Sequence, residues 1–321
     1  MSSPRAPRWS IPLPDLTGQR AVVTGASDGV GVEIARGLAA AGADVVLPVR
    51  NRAKGERAVA GIRADTPGAS LSLVDLDLSD LASVAAAGDA LLAAAIPIRV
   101  LVLNAGMIAL SDPVRRTSVD GFELHFQTNH LGHVALVAQI LPLLRAGAAR
   151  VTVQSSLAAR YHRVRWDDLQ LERGYSALRA YGSSKVALSL FAFELGRRSV
   201  AGDWGITTNV SHPGIAITNI APAVLLESRS RGARIGRRVM EAGVGGTPAE
   251  ASLPALFAAA SADAVRGAFY GPGGFLGLQG PPRRQRPYRS IVDAGEAARV
   301  WDVSQQLAGV RFEGPRAGAS S

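Results

Sequence analysis

Cysteine is absent and lysine nearly so: Lys54 and Lys185 stand against 33 arginines. Without cysteine there is no disulfide, no thiolate nucleophile and no cysteine-ligated metal. No run of 18 uninterrupted apolar residues occurs, so no membrane span is expected. The opening MSSPRAPRWSIPLPDL has charge and proline but no apolar stretch, so no secretion signal is expected either, and cytoplasm is the default. His130 and His133 are three apart, but no third ligand follows at metal spacing. No paired-carboxylate or nucleophile-elbow pattern is present.

What is there fits a globular chain of 321 residues, 47% hydrophobic and 19% charged. The net charge of +9 raises nucleic acid as a partner, so the placement of the arginines matters. They cluster in RSRGARIGRR (Arg229 to Arg238) and PPRRQRPYR (Pro281 to Arg289). Neither cluster is interleaved with a series of aromatic stacking residues, and no DNA- or RNA-binding signature surrounds them, so no nucleic acid is expected. A solvated basic face explains them, as does a surface attracting an acidic substrate or an acidic carrier protein.

Short apolar runs alternate with longer helical patterns, the rhythm of βαβ units and a parallel sheet. Strands are expected at Ala21 to Thr24, Asp44 to Val49, Ser70 to Asp75, Val100 to Leu103, Arg150 to Gln154, Thr207 to Ser211 and Ala268 to Tyr270. Helices fill the gaps, including one long helix over FELHFQTNHLGHVALVAQILPLL. One α/β domain over 16–275 holds them all, with an N-terminal arm (1–15) and a C-terminal tail (276–321) in which EAARVWDVSQQLAGV forms one amphipathic helix.

The first strand leads directly into TGASDGVG and a helix. Gly25, Gly29 and Gly31, with Ser27, Asp28 and Val30 between them, make a turn that lets backbone approach a pyrophosphate at the helix N-terminus. Such glycines can also serve backbone geometry alone. The second strand ends in Arg50, Asn51, Arg52 and Lys54, where a free ribose 2′-hydroxyl would meet an acid; these cations suit a 2′-phosphate, so NADPH is expected over NADH. Asp28 argues the other way if it points inward. Asp77 and Leu78 are placed to border an adenine, or to cap the next helix, and Asn104, Ala105 and Gly106 form a small-residue turn at the sheet's C-terminal edge.

Tyr181 and Lys185 stand four apart on a predicted helix, so their side chains share a face. A phenol is a poor acid–base group at neutral pH, and a nearby cation lowers its pKa. Lysine's compact ammonium does this while donating to ribose hydroxyls, whereas arginine's broad fork does not fit the same space. None of the other four tyrosines has a lysine at that offset.

TGASDGVG, the NAG of Asn104 to Gly106, Asn129 in QTNHLGH, Ser156 in VQSSLAAR, YGSSK at Tyr181 to Lys185, and HPGIAITN from His212 occur in an order that resembles the short-chain dehydrogenase/reductase superfamily. RNRAK, LDLSDL, NHLGH, AYGSSK and YGPGGF are most similar to its branch of retinol dehydrogenases and protochlorophyllide oxidoreductases. Leu103 departs from the family, which often has another asparagine there. The resemblance implies a single Rossmann-type doubly wound domain with a parallel sheet of about seven strands, a nicotinamide cofactor and a catalytic tetrad of Asn129, Ser156, Tyr181 and Lys185. Tyr181 would be the general acid, Ser156 would stabilise the alkoxide, Lys185 would lower the Tyr181 pKa and hold the ribose, and Asn129 would position a water. Pro213, Gly214 and Thr218 would meet the nicotinamide, and Leu157 and Ile215 the substrate, under a lid at 215–246. The helices of Asn129 and Tyr181 would make a homodimer. The expected reaction joins a small-molecule carbonyl or alcohol to hydride transfer. A redox-neutral reaction on the same fold and a non-catalytic nucleotide sensor are the alternatives.

Overall fold

The computed structural model of the chain describes residues 8–109, 112–215 and 246–312. Its centre is an eight-stranded sheet in the order β3-β2-β1-β4-β5-β6-β7-β8. The strands are β1 (Arg20–Val23), β2 (Asp44–Val49), β3 (Leu71–Asp75), β4 (Ile98–Leu103), β5 (Arg150–Gln154), β6 (Thr207–Ser211), β7 (Phe269–Pro272) and β8 (Pro282–Gln285). The first seven are parallel, whereas β8 folds back antiparallel on β7, pairing Tyr270 with Arg284. The order reverses direction between β1 and β4, and an open sheet of this kind receives a ligand at the C-terminal strand ends beside that point.

Helices cover both faces, so the strands are near-continuous apolar runs rather than alternating ones. Successive side chains still point to opposite faces. Val23, Val45, Leu47 and Val102 pack against α1 (Gly29–Ala40) and α2 (Arg52–Asp65), and also against α8 (Pro248–Ala260). Val22, Val46, Leu101 and Leu103 pack on the other face, against α3 (Leu81–Ala93), α5 (Gly132–Gln139), α7 (Ala177–Ala201) and α9 (Ala294–Ala308). Polar caps start four of these helices: Asp28 for α1, Asn51 for α2, Asp80 for α3 and a Thr247–Glu250 capping box for α8.

Two expectations change. The single long helix through Asn129 is broken into α4 (Leu124–Phe126), a π-helical turn (Gln127–Leu131), α5, and α6 (Leu141–Ala146). Pro142 opens α6, where its missing N–H costs no helical bond. The tail beyond Phe275 is also not an appendage, since β8 extends the sheet and α9 closes the core. Trp301 of α9 stacks on Phe191 of α7 at 5.3 Å between centroids and 16° between planes, with the Arg198 guanidinium 4.9 Å over it. Ser304 reaches His130 of the π turn, with 2.6 Å between Oγ and Nε2. These are the helices through which a homodimer was expected, and α9 of the same chain lies against them.

Candidate active site

The site grows from two turns that nearly touch. Thr24, just past β1, accepts the backbone N–H groups of Asn104 (3.1 Å) and Ala105 (3.0 Å) on its hydroxyl. Gly25 follows at φ 69°, where a Cβ would lie 2.7 Å from the Ala105 Cα. Only glycine combines that conformation with that closeness. Asn104 donates its amide to the carbonyls of Thr24 (3.1 Å) and Gly25 (3.5 Å), so it ties the turns together. Val30 packs on the core, while Ser27, Asp28 and Gly29 line an open cleft with Lys54 and Arg57. Glycine is also needed at position 31, because a Cβ would meet the Gly25 carbonyl oxygen at 2.3 Å.

The charges expected to meet a 2′-phosphate divide their work. Asn51 accepts the Lys54 N–H at 2.9 Å as a cap. Arg52 turns to Asp75 at 3.0 Å. Asp28 accepts the Gly29 N–H, and its second oxygen lies 3.8 Å from Lys54 Nζ, so these two charges offset each other. Arg50 is exposed and has no acidic partner among the described residues. Asp77 accepts from the Ser79 N–H (2.9 Å) and hydroxyl (2.6 Å), the geometry of a turn-forming aspartate. Leu78 is buried, its carbonyl so near α5 that a Cβ at Gly132 would lie 2.4 Å from it.

The tetrad residues come from three elements. Tyr181 and Lys185 lie one turn apart on α7, and Ser156 ends β5's approach to a short 3₁₀ turn (Leu157–Tyr161), its hydroxyl accepting the Ala158 N–H at 3.2 Å. Leu157, beside Ser156, is half-buried. Burial pushes the Tyr181 phenol up, and a hydrogen bond with the Ser156 side chain pulls it back down. The lowering by Lys185 that the spacing implied is not the controlling effect here. The ammonium sits 6.0 Å from the ring centroid and donates to the Gln154 carbonyl at 3.0 Å. Burial pushes Lys185 itself down to about 8.

Asn129 is clamped by backbone. Its Oδ1 accepts the Met107 N–H at 2.7 Å, and its Nδ2 donates to the Met107 carbonyl (3.1 Å) and the Ser184 hydroxyl (3.0 Å). The π turn aims it there; such one-turn widenings inside helices recur at functional sites. Lys185 and Asn129 converge at Gly106, where a Cβ would lie 3.0 Å from Lys185 Nζ and 3.2 Å from Asn129 Oδ1. Beneath, buried His133 bonds the Asn129 carbonyl through Nδ1 (3.2 Å) and the Thr24 hydroxyl through Nε2 (3.1 Å). Desolvation, helped by the Lys185 charge, pushes it down to about 3, so it is neutral.

On the far side, His212 accepts the Gly214 N–H at 3.2 Å and meets Gln285 of β8 at 3.1 Å, which fixes the turn through Pro213. Ile215 donates its N–H to the Leu278 carbonyl and accepts the Gly246 N–H, both at 2.9 Å, so the two ends of the expected lid meet. Thr218 and the Arg229 to Arg238 cluster lie outside the described residues. Thr24, Gln154, Ser184 and Gln285 escaped sequence reasoning. Thr24, Gln154 and Ser184 each lay inside a quoted motif, but their contacts, like those of Gln285, are made across the fold. Among the described residues no group of three metal-ligating side chains occurs, and no helix is long and apolar enough to cross a membrane.

The short chain dehydrogenase family matches residues 19–227. Mouse retinol dehydrogenase 12 is 41% identical over 206 residues, covering 64% of this chain and 64% of its own length. Mouse retinol dehydrogenase 14 is 31% identical over 306 residues, covering 91% of this chain and 86% of its own. Among solved structures, a protein from Mycobacterium paratuberculosis superposes with a TM-score of 0.73 at 33% identity, covering 94% of this chain and 97% of that one. A short chain dehydrogenase from Burkholderia cenocepacia in complex with NADP superposes with a TM-score of 0.58 at 27% identity, covering 76% and 92%. With the glycine turn, the Gly106 convergence and the α7 pair in place, the chain belongs to the short-chain dehydrogenase/reductase family, in its retinol dehydrogenase-like branch.

Proposed function

We propose that the chain is an NADPH-dependent oxidoreductase moving a hydride between nicotinamide and the carbonyl or alcohol carbon of a bulky, mostly apolar small molecule, with Tyr181 as general acid and base. The carrying observation is the convergence of Lys185 and Asn129 on Gly106, with Tyr181 one turn from Lys185 on α7 and paired with Ser156. A lysine ammonium has three donors, and among the described residues Lys185 bonds only the Gln154 carbonyl. The remaining donors fit ribose hydroxyls. The glycine turn at the start of α1 fits a pyrophosphate.

When bound, the nicotinamide supplies or accepts the hydride. Tyr181, held as a protonated phenol by burial, is suited to give its proton to the developing alkoxide, and the Ser156 hydroxyl to hydrogen-bond the same oxygen. The Lys185 ammonium favours the phenolate left behind. Asn129 holds Met107 at the edge of the site and links it to α7 through Ser184.

The preference for NADPH rests on Arg50, the cation of the β2 end without an acidic partner among the described residues. The apolar substrate class is supported by retinol dehydrogenases 12 and 14. An acidic carrier as partner would depend on Arg229 to Arg238. A homodimer would have to form outside the surface that α9 covers.

The test is a titration with NADPH and NADH, followed by absorbance of the reduced nicotinamide with a panel of bulky ketones, for the wild type and Tyr181→Phe. NADPH oxidation by the wild type alone is the expected result. Tight NADPH binding with no turnover of any ketone would overturn it in favour of a redox-neutral reaction.

A further inference from the structure

Outside the tetrad, the molecule buries a second set of titratable groups that the proposed chemistry does not use. Glu123 and His125 are 1% and 2% exposed. His125 Nε2 accepts the backbone N–H of Ala109 at 3.2 Å. An accepting Nε2 leaves the imidazole proton on Nδ1, which lies 2.9 Å from Glu123 Oε1 and donates to it. The other Glu123 oxygen accepts the Phe126 N–H at 2.7 Å. The Tyr175 hydroxyl lies 3.4 Å from His125 Nδ1, and burial with the Glu123 charge pushes the phenol up to about 12, so it stays protonated. One carboxylate therefore collects two donors, one on each oxygen, and sets the tautomer of the imidazole.

The cluster joins three segments that carry the site. Ala109 lies three residues past Gly106, in the connection after β4 at the ligand-binding edge of the sheet. His125 is in α4, directly before the π turn of Asn129. Tyr175 sits at the entry to α7, just before its N-cap Ser176. The connection after β4 is thus fastened twice, at Met107 by Asn129 and at Ala109 by His125. Apolar packing would fill this space at lower desolvation cost, whereas a fully satisfied polar cluster permits one arrangement.

We infer that His125 is a positioning residue, held by Glu123 and Tyr175, which places the Ala109 backbone as a wall of the substrate site without touching the cofactor. The inference rests on the oxidoreductase reading.

The experiment compares His125→Asn with His125→Gln. Asparagine can still donate to Glu123 from the Nδ1 position but cannot reach Ala109; glutamine can still accept from Ala109 at the Nε2 position. In the Asn variant KM for the ketone should rise about tenfold, the loss of one hydrogen bond of about 1.4 kcal/mol, with kcat and NADPH affinity nearly unchanged. The Gln variant should stay within about threefold of wild type on the same scale. Tyr175→Phe, which keeps the fold's packing, should shift KM in the same direction by a smaller factor. Equal losses in both His125 variants, or a parallel loss of NADPH affinity, would overturn the inference and make the cluster purely structural. Hydrogen exchange at the Ala109 amide separates this result from failure of the function reading. Exchange should quicken in Asn but not in Gln even if no ketone is turned over, and identical exchange in both overturns the inference on its own.

Discussion

Lys185 shows what burial does to a single ammonium. Its ammonium is buried and its pKa is pushed down to about 8, so it loses its proton as pH rises through about 8. If it holds ribose hydroxyls, NADPH affinity should be full below that value and fall above it. Fluorescence titration between pH 6.5 and 9.5 in the Tyr181→Phe background isolates Lys185 from the phenol; constant affinity across the range denies it that role. Arg50 makes a second residue-scale case. Arg50→Asp should weaken NADPH about ten- to a hundredfold and spare NADH, as expected for loss of a charge-assisted hydrogen bond to a 2′-phosphate. Equal loss for both nucleotides would place Arg50 elsewhere. The Tyr181–Lys185 pair was legible because four-residue spacing is local. The tying of two turns by Asn104 and the Asn129 clamp on Met107 join residues 79 and 22 positions apart, and no spacing rule reports such contacts.

At the scale of elements, buried parallel strands were the easiest to read because VVLPV and VLVL are apolar on both faces. β8 was missed for the opposite reason. Its PRRQ carries no apolar alternation, since it is an edge strand whose place is set by the hairpin from β7, and edge strands often carry charge and proline. The π turn was missed because a one-residue widening leaves the apolar spacing of NHLGHVAL nearly helical. The tail helix was expected, but its docking partner was not, because Trp301 finds Phe191 across more than a hundred positions. Trp301→Ala should cost about 3–5 kcal/mol, the range for a buried aromatic cut to alanine, and should uncover the α7 face around Phe191. Sedimentation velocity should then show self-association absent from the wild type at equal concentration. A wild type that is already dimeric with an unaltered Trp301→Ala would show that the pairing surface lies elsewhere.

For the whole molecule, the positive charge and the buried imidazoles act together on acid stability. His130 and His133 are pushed down to about 3 and His212 to about 4, each mainly by burial. An unfolded histidine titrates near 6.5. Below that pH the unfolded chain binds more protons than the folded one, so stability is complete above it and falls as pH drops toward the folded values. With three such groups the slope approaches about 4 kcal/mol per pH unit between the two ranges. The chain already carries +9 with histidine neutral, so each added proton also raises its self-repulsion. Carboxylates held low by hydrogen bonds, Glu194 by Arg197 and Arg198 and Glu250 by Arg8, oppose unfolding only until they too are protonated. The expected result is a denaturation free energy that falls by only about 1 kcal/mol from pH 8 to 7 and drops steeply below 6, with an uptake of two to three protons on unfolding read from the slope. A free energy unchanged between pH 7 and 5 would mean that these imidazoles are charged in the folded chain. The neutral His133 that accepts from Thr24 and donates to Asn129 could not then hold the glycine turn and the π turn in register.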